Sequence, residues 1–279
     1  MKKGTFKLKT ISTIILSCFL LVSCASSKNV KEVKFKTYVI NLDRAPERLK
    51  YMNSLLDMHF IEFERVRAVD GYEINITDKE TGEVFKGRDI KTGKVILKDN
   101  HEYFIDCGRD KEINYIHNTK IRKLSPGEMG CTCSHRSIYL DFINSDNDYA
   151  VIFEDDLKIK NKEFLFLLHS ALNNMTPSSI VYMDAWGHNI DGIKRNDGTG
   201  NLFIKLESGP RIFGLYAVII GKKTAKVLLS KGNVEYEPID IRVGEEIVNK
   251  NISGYLLNKR AVSFFGSFGS EINNMGRDH

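Results

Sequence analysis

The densest group of residues able to do chemistry is the run YAVIFEDDLKI at 149–159, where an apolar and aromatic stretch leads straight into Glu154, Asp155 and Asp156. A strand of that composition belongs in a core, and burying three consecutive acids beyond it costs several kcal/mol each unless they are paired or bound to a metal. The pattern therefore puts the acids at the strand's C-terminal rim, where open α/β sheets bind their ligands. Paired carboxylates there suit a hard divalent cation, Mn²⁺ or Mg²⁺, whose other positions go to water and substrate phosphates. Asp155 and Asp156 lie farthest along the turn and are the metal candidates; Glu154 orients them or a sugar hydroxyl. A solvated acidic turn is the competing reading of the same three residues.

Two further groups can face that rim. Asn41, Asp43, Arg44 and Arg48 follow an apolar segment, and guanidinium groups placed there can grip a nucleotide diphosphate; a surface ladder of ion pairs is the alternative. GEMGCTCSH at 127–135 sets Ser134 and His135 on the first turns of an expected helix, able to hydrogen-bond phosphate or sugar, or to be satisfied within the helix. Neither a G-x-G-x-x-G run nor a P-loop lysine motif is present.

The elements that must position these groups alternate in type. Phe35–Leu42 is an apolar strand candidate, and DRAP at 43–46 turns it into a helix with Pro46 near its first position. Leu49, Met52, Leu55 and Leu56 then fall at helical spacing. Phe60–Val69 makes a second strand, closed by Asp70-Gly71. Ser125-Pro126-Gly127-Glu128 is a capping box that starts a helix running to about Asn144. Strands follow at 149–153, 180–183 and 214–220, and helices at 162–174, 224–229 and 238–249. Strand and helix in this order predict one α/β domain over 35–279 with a central, mostly parallel sheet. Residues 72–120 break the rhythm: TGEVFKG and KTGKVIL repeat a hairpin-like pattern, so a small β excursion is expected in a variable insertion there.

The composition limits what such a domain can bind. The chain carries 41 basic and 36 acidic residues, but Lys2, Lys3, Lys7 and Lys9 stand in its first 23 residues with no acid among them. Without these four the charge is nearly balanced, which argues against nucleic acid as a partner. The same start has a positive segment, an apolar run from Ile11 to Val22 too short to span a bilayer, and Leu21-Val22-Ser23-Cys24, the pattern of a bacterial lipobox. The expectation is a signal peptide over 1–23, lipid on Cys24, a polar tether over 24–34 and attachment to a bacterial membrane. The alternative is a location on the cytoplasmic face of the inner membrane. Cys107, Cys131 and Cys133 remain, an odd number read as small buried thiols beside the site.

Taken together, the segments YVINLDRAPERLKYM (38–52), FERVRAVDG (63–71), LSPGEMGCTCSHRSIYLDFI (124–143) and VIFEDDLKI (151–159) resemble bacterial family 25 glycosyltransferases, a lipooligosaccharide galactosyltransferase-like group. GLYAVIIGKKTAKVLL (214–229), EPID (237–240) and GSEIN (269–273) continue the resemblance in order. It implies a GT-A-like nucleotide-sugar-binding fold and transfer of galactose or a related hexose, with inversion, from a UDP-sugar to a saccharide acceptor such as lipooligosaccharide. By the same resemblance Asn41, Asp43, Arg44, Arg48 and Asp70 fall on the nucleotide side and Ser134 and His135 on the SH pair. Glu154, Asp155 and Asp156 correspond to the acidic motif. Glu271 stands where the family commonly has Asp.

Inversion by direct displacement needs a carboxylate that takes the acceptor's proton while the departing diphosphate is stabilised. Asp240 is the preferred base, with Asp184 and Glu271 behind it. Trp186, the one tryptophan, can stack on a sugar face or belong to a partly buried core. A noncatalytic envelope lipoprotein that keeps the fold and binds glycans is the rival reading, since nucleotide sugars are kept on the cytoplasmic side.

Overall fold

The computed structural model describes residues 32–108, 112–116, 125–186, 193, 200–207, 212–230, 234–235 and 237–264. In chain order its elements are β1 (Phe35–Asn41), α1 (Pro46–Asp57), β2 (Glu64–Arg67), β3 (Asn75–Asp78), β4 (Val84–Lys86), α2 (Gly87–Lys91), β5 (Glu102–Asp106), β6 (Glu112–Ile116), α3 (Pro126–Asn144) and β7 (Tyr149–Glu154). There follow β8 (Leu157–Ile159), α4 (Phe164–Asn174), β9 (Ser179–Tyr182), β10 (Phe203–Leu206), β11 (Ala217–Gly221), α5 (Lys222–Ser230), β12 (Val234–Glu235), α6 (Ile239–Val248), β13 (Ser253–Leu257) and β14 (Val262–Phe264). The described residues from Val33 onward belong to one compact unit. Among the described residues no helix is long and apolar enough to cross a membrane.

Seven strands form the main sheet in the order β10-β13-β9-β11-β7-β1-β2. The expectation of a mostly parallel sheet needs correcting. β1 pairs in parallel with β2 and β7, and β13 with β9, but β11 is antiparallel to both β7 and β9, and β10 to β13. Three pairings of six are therefore parallel. Inserting β11 head-down between β7 and β9 keeps those two running the same way, so β1, β2, β7, β9 and β13 still deliver their C-terminal ends to one rim, and β11 begins there.

Both faces of the sheet are covered, which explains why its strands read as unbroken apolar runs. Tyr38, Ile40, Ile152 and Val218 pack with Ile138 and Phe142 of α3, Leu228 of α5 and Val243 of α6. The alternate residues Val39, Val151, Phe153 and Ile219 pack with Met52, Leu55 and Leu56 of α1 and with Phe164, Leu167 and Leu168 of α4. α3 begins as its sequence requires: Ser125 Oγ accepts from the Glu128 amide, and the Glu128 carboxylate accepts from the Ser125 amide.

The insertion supplies four strands of a second sheet, ordered β12-β6-β5-β3-β4, and β12 joins it from later in the chain. TGEVFKG supplies β4, but KTGKVIL forms no strand: it leaves the short helix α2 and continues as turns. Ile76, Tyr103, Ile105 and Tyr115 of this sheet share a small core with Met129 and Cys133 of α3. The expected free thiols at 107 and 133 are instead a disulfide, Cys107–Cys133, that joins the end of β5 to α3. Cys131 is the free cysteine among the described residues. Gly71 lies against the start of α3 so closely that a Cβ there would fall 1.7 Å from the Pro126 carbonyl oxygen. Only glycine allows the AVDG loop to rest on the helix N-terminus.

Candidate active site

The acidic run is a tight connection, not a solvated loop. Glu154 ends β7, Asp155 and Asp156 make the turn, and Leu157 begins β8, which is held by β14. Asp155 and Asp156 are 7% and 6% exposed. The two differ in their partners. Asp155 Oδ2 accepts from Asn41 Nδ2 at 2.7 Å, and Oδ1 pairs with Arg48 Nη1 at 3.1 Å. Parallel pairing of β1 with β7 sets Ile40 beside Glu154, and so brings Asn41 to this turn; Arg48 reaches it from the buried face of α1. Asp156 Oδ1 is buried without a hydrogen-bond partner among the described residues.

On the β1–β2 side the remaining charges interlock. Arg65 Nε donates to Asn41 Oδ1 at 3.0 Å, and its Nη2 to Asp43 at 2.7 Å; Arg44 pairs with Asp70, which also accepts from the Tyr72 amide. Arg44, Arg48, Asp70, Cys131, His135 and the three acids line a common cleft. Arg44 and Asp70 also line a second cleft that opens toward the insertion.

α3 closes the cleft from behind. Ser134 Oγ accepts from the Val69 amide at 2.9 Å and donates to the Gly130 carbonyl at 2.7 Å, so it holds the AVDG loop on the helix. His135 is fully buried, with Nε2 3.4 Å from Glu154 Oε1 and Nδ1 without a partner among the described residues. Burial pushes its imidazole down to about 4, against the pull of Asp240, so the ring is neutral near pH 7. Cys131, one turn before His135, completes a thiol, imidazole and carboxylate set with Glu154, whose ligand atoms lie within 4.8 Å of one another. Burial, then the surrounding acids, raises the Cys131 thiol well above its usual range.

Asp240 joins the group from the first turn of α6. Burial raises its carboxyl to about 7; the Glu154 and Glu128 charges push the same way, while His135 and the Gly214 amide oppose them. Burial and mutual repulsion raise Glu154 and Asp156 as well. A cluster that resists ionisation this way is one that a divalent cation relieves. The oxygen donors and the orphaned Asp156 Oδ1 fit such an ion.

Asp184 follows β9 at the same rim, where Tyr216 Oη donates to Oδ2 at 2.7 Å and Arg260 Nε pairs with Oδ1 at 3.1 Å. Glu271 and Cys24 lie outside the described residues. Cys131 was not singled out from the sequence; its spacing of four from His135 on one helix was the available signal. Tyr216 and Arg260, which hold Asp184, carried none.

A curated protein of Drosophila melanogaster, "Glycosyltransferase 25 family member", is 29% identical over 125 residues, 45% of this chain. The aligned part is 16% of that relative, so the chain spans about a sixth of its length. The sequence profile described as "Glycosyltransferase family 25 (LPS biosynthesis protein)" matches residues 34–243. That stretch runs from the start of β1 past Asp240 and takes in every cleft residue described above, and the chain belongs to glycosyltransferase family 25.

Proposed function

We propose that this chain is a metal-dependent glycosyltransferase that moves a hexose, galactose in the first instance, from a UDP-sugar to a saccharide acceptor with inversion. The observation that carries the reading is the company the acids keep: Arg44 lines one cleft with Glu154 and Asp156, whose carboxyls are raised, and the raised carboxyl of Asp240 lies close enough to Glu154 to feel its charge. Arg44 and the Asp43–Arg65 pair face the donor's diphosphate side. Arg48 and Asn41 hold Asp155, which positions its neighbours. Asp156 and Glu154, with His135 beside them, are the residues that would hold Mn²⁺ or Mg²⁺. Bound there, the cation supplies charge neutralisation for the departing diphosphate. Asp240, with its carboxyl near 7, takes the proton from the acceptor hydroxyl as that oxygen attacks the anomeric carbon opposite the leaving UDP.

We further propose that the mature protein is attached to a bacterial membrane through lipid on Cys24. The Cys107–Cys133 disulfide supports an oxidising compartment. The same disulfide favours the second reading, a glycan-binding envelope lipoprotein without transfer activity.

The experiment is a panel of UDP-, GDP- and CMP-sugars with and without Mn²⁺, scored by thermal stabilisation and by donor hydrolysis. Cation-dependent stabilisation by a UDP-sugar, followed by hydrolysis, is the expected outcome. Silence across the panel would select the glycan-binding reading.

A further inference from the structure

Across the sheet the rim presents three kinds of surface. Guanidinium groups lie beyond β1 and β2, acids beyond β7, and aromatic rings beyond β9 and just before β11. The third surface has no part in the reaction as set out above. Trp186 stands two residues past Asp184, and its backbone amide and carbonyl exchange hydrogen bonds of 2.9 Å with those of Phe213. The two rings pack with centroids 4.8 Å apart and planes inclined by 34°. Trp186 is nonetheless 47% exposed, at a rim where Asp155, Asp156 and Asp184 are buried.

The bridge ties this aromatic pair to the Asp184 backbone and to the Asp240 carboxylate. Phe213 runs into Gly214, whose φ is +128° and where a Cβ would come 2.9 Å from the Asp184 carbonyl oxygen. The Gly214 amide in turn donates to Asp240. One short stretch of backbone therefore carries the ring pair and holds the carboxylate assigned as base.

We propose that Trp186 and Phe213 form the stacking platform for a pyranose ring of a neutral saccharide acceptor. A pyranose has an apolar face of C–H groups and a rim of hydroxyls, so it is recognised by an exposed aromatic face with hydrogen-bond acceptors beside it. Trp186 supplies the face, and Asp240 the acceptor for the reacting hydroxyl. The diphosphate of a nucleotide is drawn to the opposite flank, to Arg44 and the Asp43–Arg65 pair, which leaves the platform for the uncharged partner. Naming the ring an acceptor rests on the transferase reading; stacking of a saccharide at Trp186 does not.

Trp186 is the one tryptophan in the chain, so its emission reports this surface alone. The full chain in detergent is titrated with lactose, methyl β-galactoside and maltose, with UDP and Mg²⁺ present at saturation. At least one of these saccharides should shift the emission to shorter wavelength and shield the indole from acrylamide, and UDP with Mg²⁺ alone should do neither. In transfer assays Trp186→Ala should raise the acceptor concentration for half-saturation about tenfold, with UDP binding by calorimetry unchanged and Trp186→Phe recovering most of the loss. Emission and quenching unmoved by all three saccharides, or moved by UDP alone, overturns the proposal, as does a parallel loss of UDP affinity in Trp186→Ala. A chain that ignores UDP while lactose still shields Trp186 contradicts the transferase reading and supports the platform.

Discussion

Asp155 and Asp156 are adjacent, equally buried and chemically identical, yet their removal should change stability in opposite senses. Asp155 is held by Arg48 and Asn41, and the Asp155 and Arg48 side chains are 10% and 7% exposed. Asp155→Ala takes from a buried guanidinium the carboxylate it is bonded to. Breaking a buried pair from one side costs about 3–5 kcal/mol. At about 2–4 °C per kcal/mol for a domain of this size, the melting temperature should fall by roughly 6–20 °C. Asp156 gains nothing comparable from its surroundings: burial and the Glu154 and Asp155 charges raise its pKa. A carboxyl with a raised pKa binds its proton more tightly folded than unfolded, so its contribution is lost as pH rises through the folded value. Asp156→Asn removes that charge and should leave the melting temperature level or higher, most visibly above about pH 8. The assay is calorimetric unfolding in EDTA, repeated with Mn²⁺ and UDP. Asp156→Asn should lose the stabilisation that cation and nucleotide bring, whereas Asp155→Asn, the milder variant if the alanine form fails to fold, should melt early yet still respond to both. Equal falls in melting temperature for the two positions, or a destabilised Asp156→Asn that keeps its cation response, would refute the division of roles.

Three other outcomes follow from the same geometry. With its carboxyl raised by burial to about 7 in the cation-free protein, Asp240 gives kcat/KM an acid limb whose midpoint lies above the ordinary carboxylate range; Asp240→Asn should remove that limb and lower turnover about 10²-fold. Its raised pKa also makes native stability decline as pH climbs from its ordinary value to its folded one, a decline that calorimetry should find reduced in the same variant. Replacing Cys107 and Cys133 by serine opens a link between residues 26 apart and should lower unfolding free energy by about 3.5 kcal/mol in urea titrations; a change under about 1 kcal/mol would show that the insertion stays on α3 without it. Cys24→Ala should release the protein from membranes, and an intact mass showing unmodified Cys24 in uncleaved wild type would remove the lipid anchor.

The elements that rest on local rules were legible. The Ser125–Glu128 capping box starts α3 at the expected residue, and the apolar run from Tyr149 is β7. Strand direction was not legible, because an apolar run such as AVIIG reads the same whichever way it is laid between neighbours. β11 runs against β7 and β9, and that is a property of the connection, not of the residues within the strand. KTGKVIL misled for the opposite reason: its glycine and β-branched residues have the local signature of a hairpin, but β4 runs directly into α2, and the segment leaves that helix as turns.

At the site the sequence pointed to the strand end where Glu154, Asp155 and Asp156 lie with Arg48 and His135, but not to what each one touches. Placing the acids at a strand end requires only the length of β7. Telling Asp155 from Asp156 requires Asn41 and Arg48, which lie 114 and 107 residues away and reach the turn through the register of β1 on β7 and the buried face of α1. Arg48 sits among apolar helix positions, and periodicity alone counts it as an exposed charge. Ser134 shows the same limit: its hydroxyl is committed to Val69 and Gly130, so it shapes the loop that carries Asp70 without facing the cleft with a free donor. The disulfide was missed because its partners come from the insertion and the helix, with no spacing rule between them. Reading the three cysteines by their odd number concealed the pair, although a chain expected to be exported is one whose cysteines are expected to pair.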